Sequence, residues 1–546
     1  MRTVTGLTKR VREKAPDLLA LDLNCAIYHC VRLQQQQTPY TVVRRLEFER
    51  AVVERTIAYI KQLDKHVGAR SVYVAVDGVA PMAKLKQQRM RRFKSAQTAE
   101  EEARIKATVL RTAATATATT ATTATTKDRW DTNAITPGTE FMEQLTEALY
   151  AFQAKHTERV VVSPADEPGE GEQKLMAHVR LHSIKDTVVY GLDADLIVLA
   201  LYHHAVHGAT VDLLREETEF GGGVKVDALG AEQFLYLDTT HLADALHGTY
   251  GAGKSRTEFL VDFVGAMSLQ GNDFVPHGMG LTIKQEGIER VLEILQTVKT
   301  PLVQVEDKGR ATYRMETLRL LVDRLAAEEE AQILLYSRKK LTARGGMGST
   351  ELDRALAQYQ DQPLEWKAEE ALVSRVLTTN AKTNTNTNNG GPRFQMRPEW
   401  ASRYDELALE GTGPHVASAV YCEALGWTLA YYSGASVDSE WQYPWSLPPR
   451  FASIQSHLRT LTAIPIPSTA RPSLTPRQQL AMVLPASSYP LLPAEYKAIC
   501  SRNPWAFPVA WPVQSLGRRY LWECEPILPI VVPSQIRAWI EEMEDP

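Results

Sequence analysis

The sequence predicts an α/β protein: a doubly wound, mainly parallel sheet with a mostly helical, Trp-, Tyr- and Pro-rich second region packed against it. Three observations carry this expectation. Short apolar runs alternate with helical patterns through the first half, as βαβ units require. Residues 285–360 repeat their apolar positions at three and four, the helical period. Beyond residue 392 the texture changes to one rich in Trp, Tyr and Pro.

The elements follow in order. Strands are expected at LLAL before Asp22, VYVAV before Asp77, RVVVS around Val161 and TVVYGL before Asp193. Helices are expected over residues 46–67, 82–96 running on into 100–110, 171–184 and 259–269, and again in IERVLEILQTV and METLRLLVDRLAAEEEAQILL. Two low-complexity tracts, Ala/Thr at 113–126 and Asn/Thr at 378–391, have neither a period nor an apolar face, so both read as solvated connections. The expected organisation is a core over 1–300 with an insert at 113–126, a helical segment over 301–377, a linker at 378–392, and a second region over 393–546 that covers the site.

With 61 basic and 65 acidic residues among 546, 44% hydrophobic and 23% charged, the composition is ordinary for a globular chain. It excludes a disordered tail, a collagen-like chain and a uniformly basic nucleic-acid coat, so any affinity for nucleic acid must be local. Five cysteines form no CxxC pair, and no zinc spacing is read among the histidines, so a zinc or disulfide framework is not expected. The charged opening MRTVTGLTKRVREKAPD has no apolar signal core, and no run approaches the roughly 20 apolar residues that span a bilayer. A soluble, intracellular protein with no membrane partner is expected, cytoplasmic or, as the alternative, nuclear.

The placement of carboxylates is the most informative pattern. Asp22, Asp77 and Asp193 each directly follow an apolar strand and would emerge at strand carboxyl ends, where open α/β sheets hold ligands. Glu170 and Glu172 in EPGEGE, Asp195 in GLDAD and Asp273 in QGNDF join them. Any one of these reads as a loop or cap residue, but four clusters follow a single logic. Seven converging carboxylates repel unless cations compensate, and hard oxygen ligands suit Mg²⁺ or Mn²⁺. Two such ions about 4 Å apart form the clamp used in phosphodiester displacement. Beside Asp77 lie six cations, Lys84, Lys86, Arg89, Arg91, Arg92 and Lys94. On a helix Lys84, Gln88, Arg91 and Arg92 share a face able to cup a phosphate, although a charge run alone is usually a solvated face.

The segments VAVDGVAPMAKLKQQRMRRF, WDTNAITPGTEFM, EPGEGEQKLM, YGLDADLIVL and QGNDFVPH resemble, in order, the signatures of the Xrn-type 5′-to-3′ exoribonucleases. EALGWTLAYY, LTPRQQLAMVLPASSYPLLP and LWECEPILPI resemble their second conserved region. The resemblance implies a nuclease core and processive hydrolysis of single-stranded RNA bearing a 5′-monophosphate, with release of nucleoside 5′-monophosphates. It assigns Asp22, Asp77, Glu170, Glu172, Asp193, Asp195 and Asp273 to catalysis with two divalent ions, and Lys84, Gln88, Arg91 and Arg92 to the 5′-phosphate.

Departures are also legible. TGLTKRVREKAPD replaces the family's opening helix, and Met82 stands where an arginine is common. Tyr28, with His29 beside it, takes the place of a base-stacking histidine, and Trp441 in SEWQYPWSLPP is the expected aromatic platform. The long C-terminal extensions of large cytoplasmic members are expected to be absent. GTYGAGKS (248–255) fits a phosphate-loop pattern, but helical-looking HLADALH precedes it where a strand should, so it reads as a polar connection. The alternatives to an exoribonuclease are a catalytically silent RNA-binding scaffold and a flap-type DNA nuclease.

Overall fold

The computed structural model describes residues 6–116, 129–191, 193–218, 224–227, 231–342, 354–356, 372–376, 393–518 and 520–544. Seven strands form one sheet: β1 (Thr8–Lys9), β2 (Leu18–Asp22), β3 (Ser71–Ala75), β4 (Val160–Ser163), β5 (Asp186–Tyr190), β6 (Thr210–Glu216) and β7 (Phe234–Leu237). Their order is β1-β7-β6-β5-β2-β3-β4, parallel from β6 to β4, with β7 and β1 antiparallel at one edge. The four expected strands are all present. The other three escape the sequence reading because they are short or broken by charge. In β6, for instance, Asp212 pairs with Arg12 at 3.1 Å, and Arg12 also holds Asp186 at 2.5 Å.

Side-chain alternation makes the sheet two-faced. Leu18, Ala20, Tyr73, Ala75 and Val189 enter one apolar core, whereas Leu19, Leu21, Val72, Val74, Val188 and Tyr190 enter the other. Helices α1 (Leu23–Gln37) and α2 (Arg45–Val67) cover the second face. Helix α3 (Met82–Ala116) leaves the sheet altogether, and α4 (Glu140–Ala154) returns to the second face. Helices α5 (Gly171–Leu181), α6 (Asp195–His207), α7 (Thr239–Tyr250) and α8 (Arg256–Met267) cover the first. The chain runs from β2 out through β3 to β4, then returns to β5 on the other side of β2. The β2/β5 boundary is therefore the switch point, and the strand carboxyl ends open there.

Residues 285–360 are not one helical stretch. Between α9 (Gly287–Gln296) and α10 (Met315–Thr342) lies an antiparallel pair, β8 (Val303–Val305) and β9 (Ala311–Tyr313). Pro301 precedes it, and Lys308 and Gly309 turn it in left-handed backbone (φ 64° and 82°), which interrupts the helical period. Helix α3 extends into the first four residues of the Ala/Thr tract; residues 117–126 and the whole Asn/Thr tract lie outside the described residues.

The second region is mostly helical, with Trp400–Ala408, Pro414–Tyr432, Phe451–Leu458, Pro476–Val483, Ala494–Arg502 and Pro533–Glu544. It shares two cores with the first half. Tyr404, Tyr421, Trp427, Leu447 and Phe451 join the core on the first sheet face, while Met82, Leu85 and Phe93 of α3 bury themselves among Leu480, Met482, Leu484, Phe507 and Ile536. Fully burying one such side chain is worth about 1.5–3 kcal/mol. No helix among the described residues is long and apolar enough to cross a membrane.

Candidate active site

The seven carboxylates stand on different elements but at one end of the sheet. Asp22 closes β2 and Asp77 lies two residues past β3; Glu170 is the N-cap of α5 and Glu172 lies in its first turn. Asp195 opens α6 with Asp193 just before it, while Asp273 sits in the turn after Ser268–Gln270, where Asn272 accepts the Phe274 and Val275 N–H groups at 2.9 Å each. Short contacts tie them together. The Gly171 N–H donates to Asp77 Oδ1 at 2.7 Å, and Asn24 Nδ2 donates to Asp77 Oδ2 at 2.7 Å. A methyl group on Gly171 would lie 2.8 Å from Asp22 Oδ1 and 3.3 Å from Asp77 Oδ1, so only glycine lets α5 approach both.

The electrostatics match that crowding. Burial, then Asp77, Asp193 and Glu170, hold the Asp22 carboxyl well above its usual range. Burial, then Glu170, Asp195 and Asp193, do the same to Glu172, and burial with Asp193 and Asp273 pushes Asp195 up to about 7. One ammonium answers this charge: Lys84 Nζ lies 2.8 Å from Glu170 Oε2 and 2.5 Å from Asp273 Oδ2. Burial opposes its charge, but Glu170, Glu172 and Asp273 more than offset this.

The donor set fits a hard divalent cation. It is all oxygen, and Glu172 Oε1 is buried without a hydrogen-bond partner, a cost that a cation would remove. Among the described residues no three ligating groups are already gathered into a coordination shell. Several of the carboxylates are instead committed to donors of their own, Asp77 to Gly171 and Asn24, Glu170 to Lys84 and Tyr431, Asp195 to Tyr432.

The basic run of α3 divides in two. Arg91 is 70% exposed, with Nη2 3.4 Å from Asp273 Oδ1. Arg92 donates to Thr136 Oγ1 at 2.7 Å, and Gln88 Oε1 is buried and unpartnered. With Lys84 these form the expected face, although Lys84 is held by carboxylates. Lys86 and Arg89 face the second region. Lys86 Nζ donates to the Tyr443 and Pro444 carbonyls at 2.7 Å and to that of Trp445 at 3.0 Å, and burial pushes it down to about 8. Arg89 donates to the Pro529 carbonyl at 2.8 Å and to that of Ala506, between the rings of Phe93 and Phe507.

One aromatic expectation needs correction. His29 is buried, its Nε2 2.8 Å from Glu232 Oε1 and its ring 5.0 Å from Tyr59, so it cannot stack on a base. Trp441 is half-buried, stacked on Trp427 at 5.5 Å, and its Nε1–H donates to Glu423 at 3.1 Å; one face is spent on packing. Tyr28 is 46% exposed and remains open to a base.

GTYGAGKS joins α7 to α8, as the reading of a connection requires, but it is not inert. Lys254 Nζ lies 2.7 Å from Asp262 Oδ2 with both side chains buried, and Asp262 Oδ1 accepts the Leu302 and Val303 N–H groups at 2.7 and 2.9 Å. The lysine is a buried counter-ion. Histidine pairs at helical spacing also exist, His178 with His182 and His203 with His207, against the expectation of none. They pack ring on ring, 4.4 and 5.1 Å apart.

Sequence reasoning missed Asn24, Tyr431 and Tyr432. The Tyr431 hydroxyl donates to Glu170 Oε1 at 2.8 Å, and that of Tyr432 to Asp195 Oδ2 at 2.9 Å. Nothing in the residue pattern separates these tyrosines from core aromatics.

The fold and the site define an α/β protein with a carboxylate cluster at the switch point of its sheet, beside a basic helix. Residues 2–217 match the family model of the XRN 5′-3′ exonuclease N-terminus, and residues 400–545 that of the Xrn1 helical domain. The chain belongs to the Xrn family of 5′-3′ exonucleases. It is 26% identical to human 5′-3′ exoribonuclease 1 over 97% of this chain and 32% of that protein, and 26% identical to chicken 5′-3′ exoribonuclease 2 over 96% of this chain and 65% of that one. Identity to Saccharomyces cerevisiae 5′-3′ exoribonuclease 1 is 33% over 53% of this chain and 19% of that protein. The chain thus spans about a third of the human relative and under two thirds of the chicken one.

Proposed function

We propose that this chain is a metal-dependent 5′-to-3′ exoribonuclease acting processively on single-stranded RNA with a 5′-monophosphate. The observation that supports this best is the junction of seven carboxylates with the Gln88, Arg91 and Arg92 face of α3. Asp22, Asp77, Glu170, Glu172, Asp193, Asp195 and Asp273 are the residues that would hold Mg²⁺ or Mn²⁺. Such ions, when bound, activate a water molecule and stabilise charge on the leaving oxygen. Arg91 and Arg92 reward the two charges of a terminal monophosphate, and Tyr28 offers a ring to the terminal base. Hydrolysis on the 3′-oxygen side of the next phosphate releases a nucleoside 5′-monophosphate and leaves a new 5′-monophosphate on the shortened RNA. The recognised end is regenerated at every step, so the shortened RNA is again a substrate, as processive hydrolysis requires.

The test is degradation of end-labelled 5′-monophosphate RNA with Mg²⁺, set beside 5′-hydroxyl RNA, 5′-triphosphate RNA and DNA. Mononucleotide release from the monophosphate RNA alone is expected. Binding without hydrolysis would instead establish a silent scaffold, and preference for DNA a flap-type nuclease.

A further inference from the structure

The helix Pro414–Tyr432 is buried along most of its length and ends at the carboxylates. Adjacent helical residues diverge by about 100°, so two consecutive tyrosines in its last turn can reach different targets. Here they do: Tyr431 donates to Glu170 at the N-terminus of α5 and Tyr432 to Asp195 at the N-terminus of α6. We infer that Tyr431 and Tyr432 are positioning residues through which the second region sets the geometry of the carboxylate site, an inference that rests on the exoribonuclease reading.

The surroundings support more than incidental satisfaction of two hydroxyls. The Tyr431 ring stacks on Trp427 at 4.9 Å, and both tyrosines meet Phe274 edge-on at 5.4 and 6.2 Å, next to Asp273 in the chain. The Lys84 ammonium lies 6.0 Å from the same Phe274 ring. Just past the helix, Gly434 takes φ +77° and lets the Arg180 guanidinium of α5 lie against its Cα, while Arg180 Nη1 sits 3.1 Å from His203 Nε2 on α6. One helix end therefore braces both helices whose N-termini carry the carboxylates.

The test uses Tyr431→Phe, Tyr432→Phe and the double variant in the full chain. Mn²⁺ binding is followed by electron paramagnetic resonance without RNA, and kcat and KM on 5′-monophosphate RNA are measured across a Mg²⁺ titration. Removing an outer partner of a ligand typically costs about 10- to 100-fold, so each single variant is expected to weaken Mn²⁺ binding and lower kcat by about tenfold, with KM for RNA within about twofold. A purely structural role would shift melting temperature and leave metal affinity alone. Mn²⁺ affinity and kcat within about twofold of the parent in both single variants would overturn the inference, whatever the double variant does. A parent chain that neither binds Mn²⁺ nor degrades RNA would remove the functional reading, and this inference with it.

Discussion

Asp195 carries the least comfortable charge for which the site gives a number. Its carboxyl, pushed up to about 7 chiefly by burial and then by Asp193 and Asp273, has a folded pKa above its unfolded one. Ionising it therefore costs the folded state: stability falls as pH rises through about 4 to 7 and returns on acidification. In metal-free protein the parent should gain melting temperature relative to Asp195→Asn between about pH 7.5 and about pH 5.5, and excess Mg²⁺ should abolish the difference in slope. Asp195→Asn should be at least as stable as the parent at neutral pH yet release no mononucleotide; a variant that turns over normally would remove Asp195 from the catalytic set. Lys254 gives the opposite case. Removing one partner of a buried pair costs about 3–5 kcal/mol, so Lys254→Met should be destabilised by that order, with kcat unchanged below its melting point and no ATP binding in either protein. Burial raises the Asp262 carboxyl and Lys254 restrains it, so the penalty should grow as pH rises and the unpaired carboxylate ionises. Adding Asp262→Asn should recover part of the loss. The seven carboxylates were legible because each abuts a strand or a tight turn. Tyr28 and His29 were not separable, because one step along a helix decides between solvent and core.

At the scale of the element, α3 shows what a basic run does and does not say. Six cations make up the run 84–94, yet Lys86 and Arg89 lock the helix onto backbone carbonyls of the second region while Arg91 and Arg92 stay with the site. Helical periodicity separated the faces, but it could not reveal that the second face meets carbonyls rather than water. The two pairs should respond differently. Arg91→Ala with Arg92→Ala should abolish the preference for 5′-monophosphate over 5′-hydroxyl RNA with little change in melting temperature. Arg89→Met, which leaves the Pro529 and Ala506 carbonyls without their donor, should cost about 1–3 kcal/mol while the end preference persists. Equal loss of preference in both would show the run acting as one diffuse field. The β8/β9 pair was missed for a related reason: at three residues each, strands VQV and ATY are too short for a period-two pattern to outweigh the helices on either side.

Across the whole molecule the sheet order, the switch point and the gathering of carboxylates follow from strand placement, and so they were legible. The interlock of the halves was not, because apolar periodicity says which face is buried and never against what. That interlock makes a prediction about the Asn/Thr tract. The strands flanking it in sequence, Val373–Val376 and Arg393–Met396, pair antiparallel with Val376 opposite Arg393. Closing a loop costs entropy that grows slowly with length, each halving returning about 0.6 kcal/mol. Replacing residues 378–391 by a four-residue Asn-Gly turn should therefore hold or slightly raise the melting temperature, since the paired strands and both shared cores hold the second region in place without it. Mononucleotide release from short and long 5′-monophosphate RNA should be unchanged. A variant that keeps its stability but loses processivity on long RNA would show instead that the tract touches the substrate.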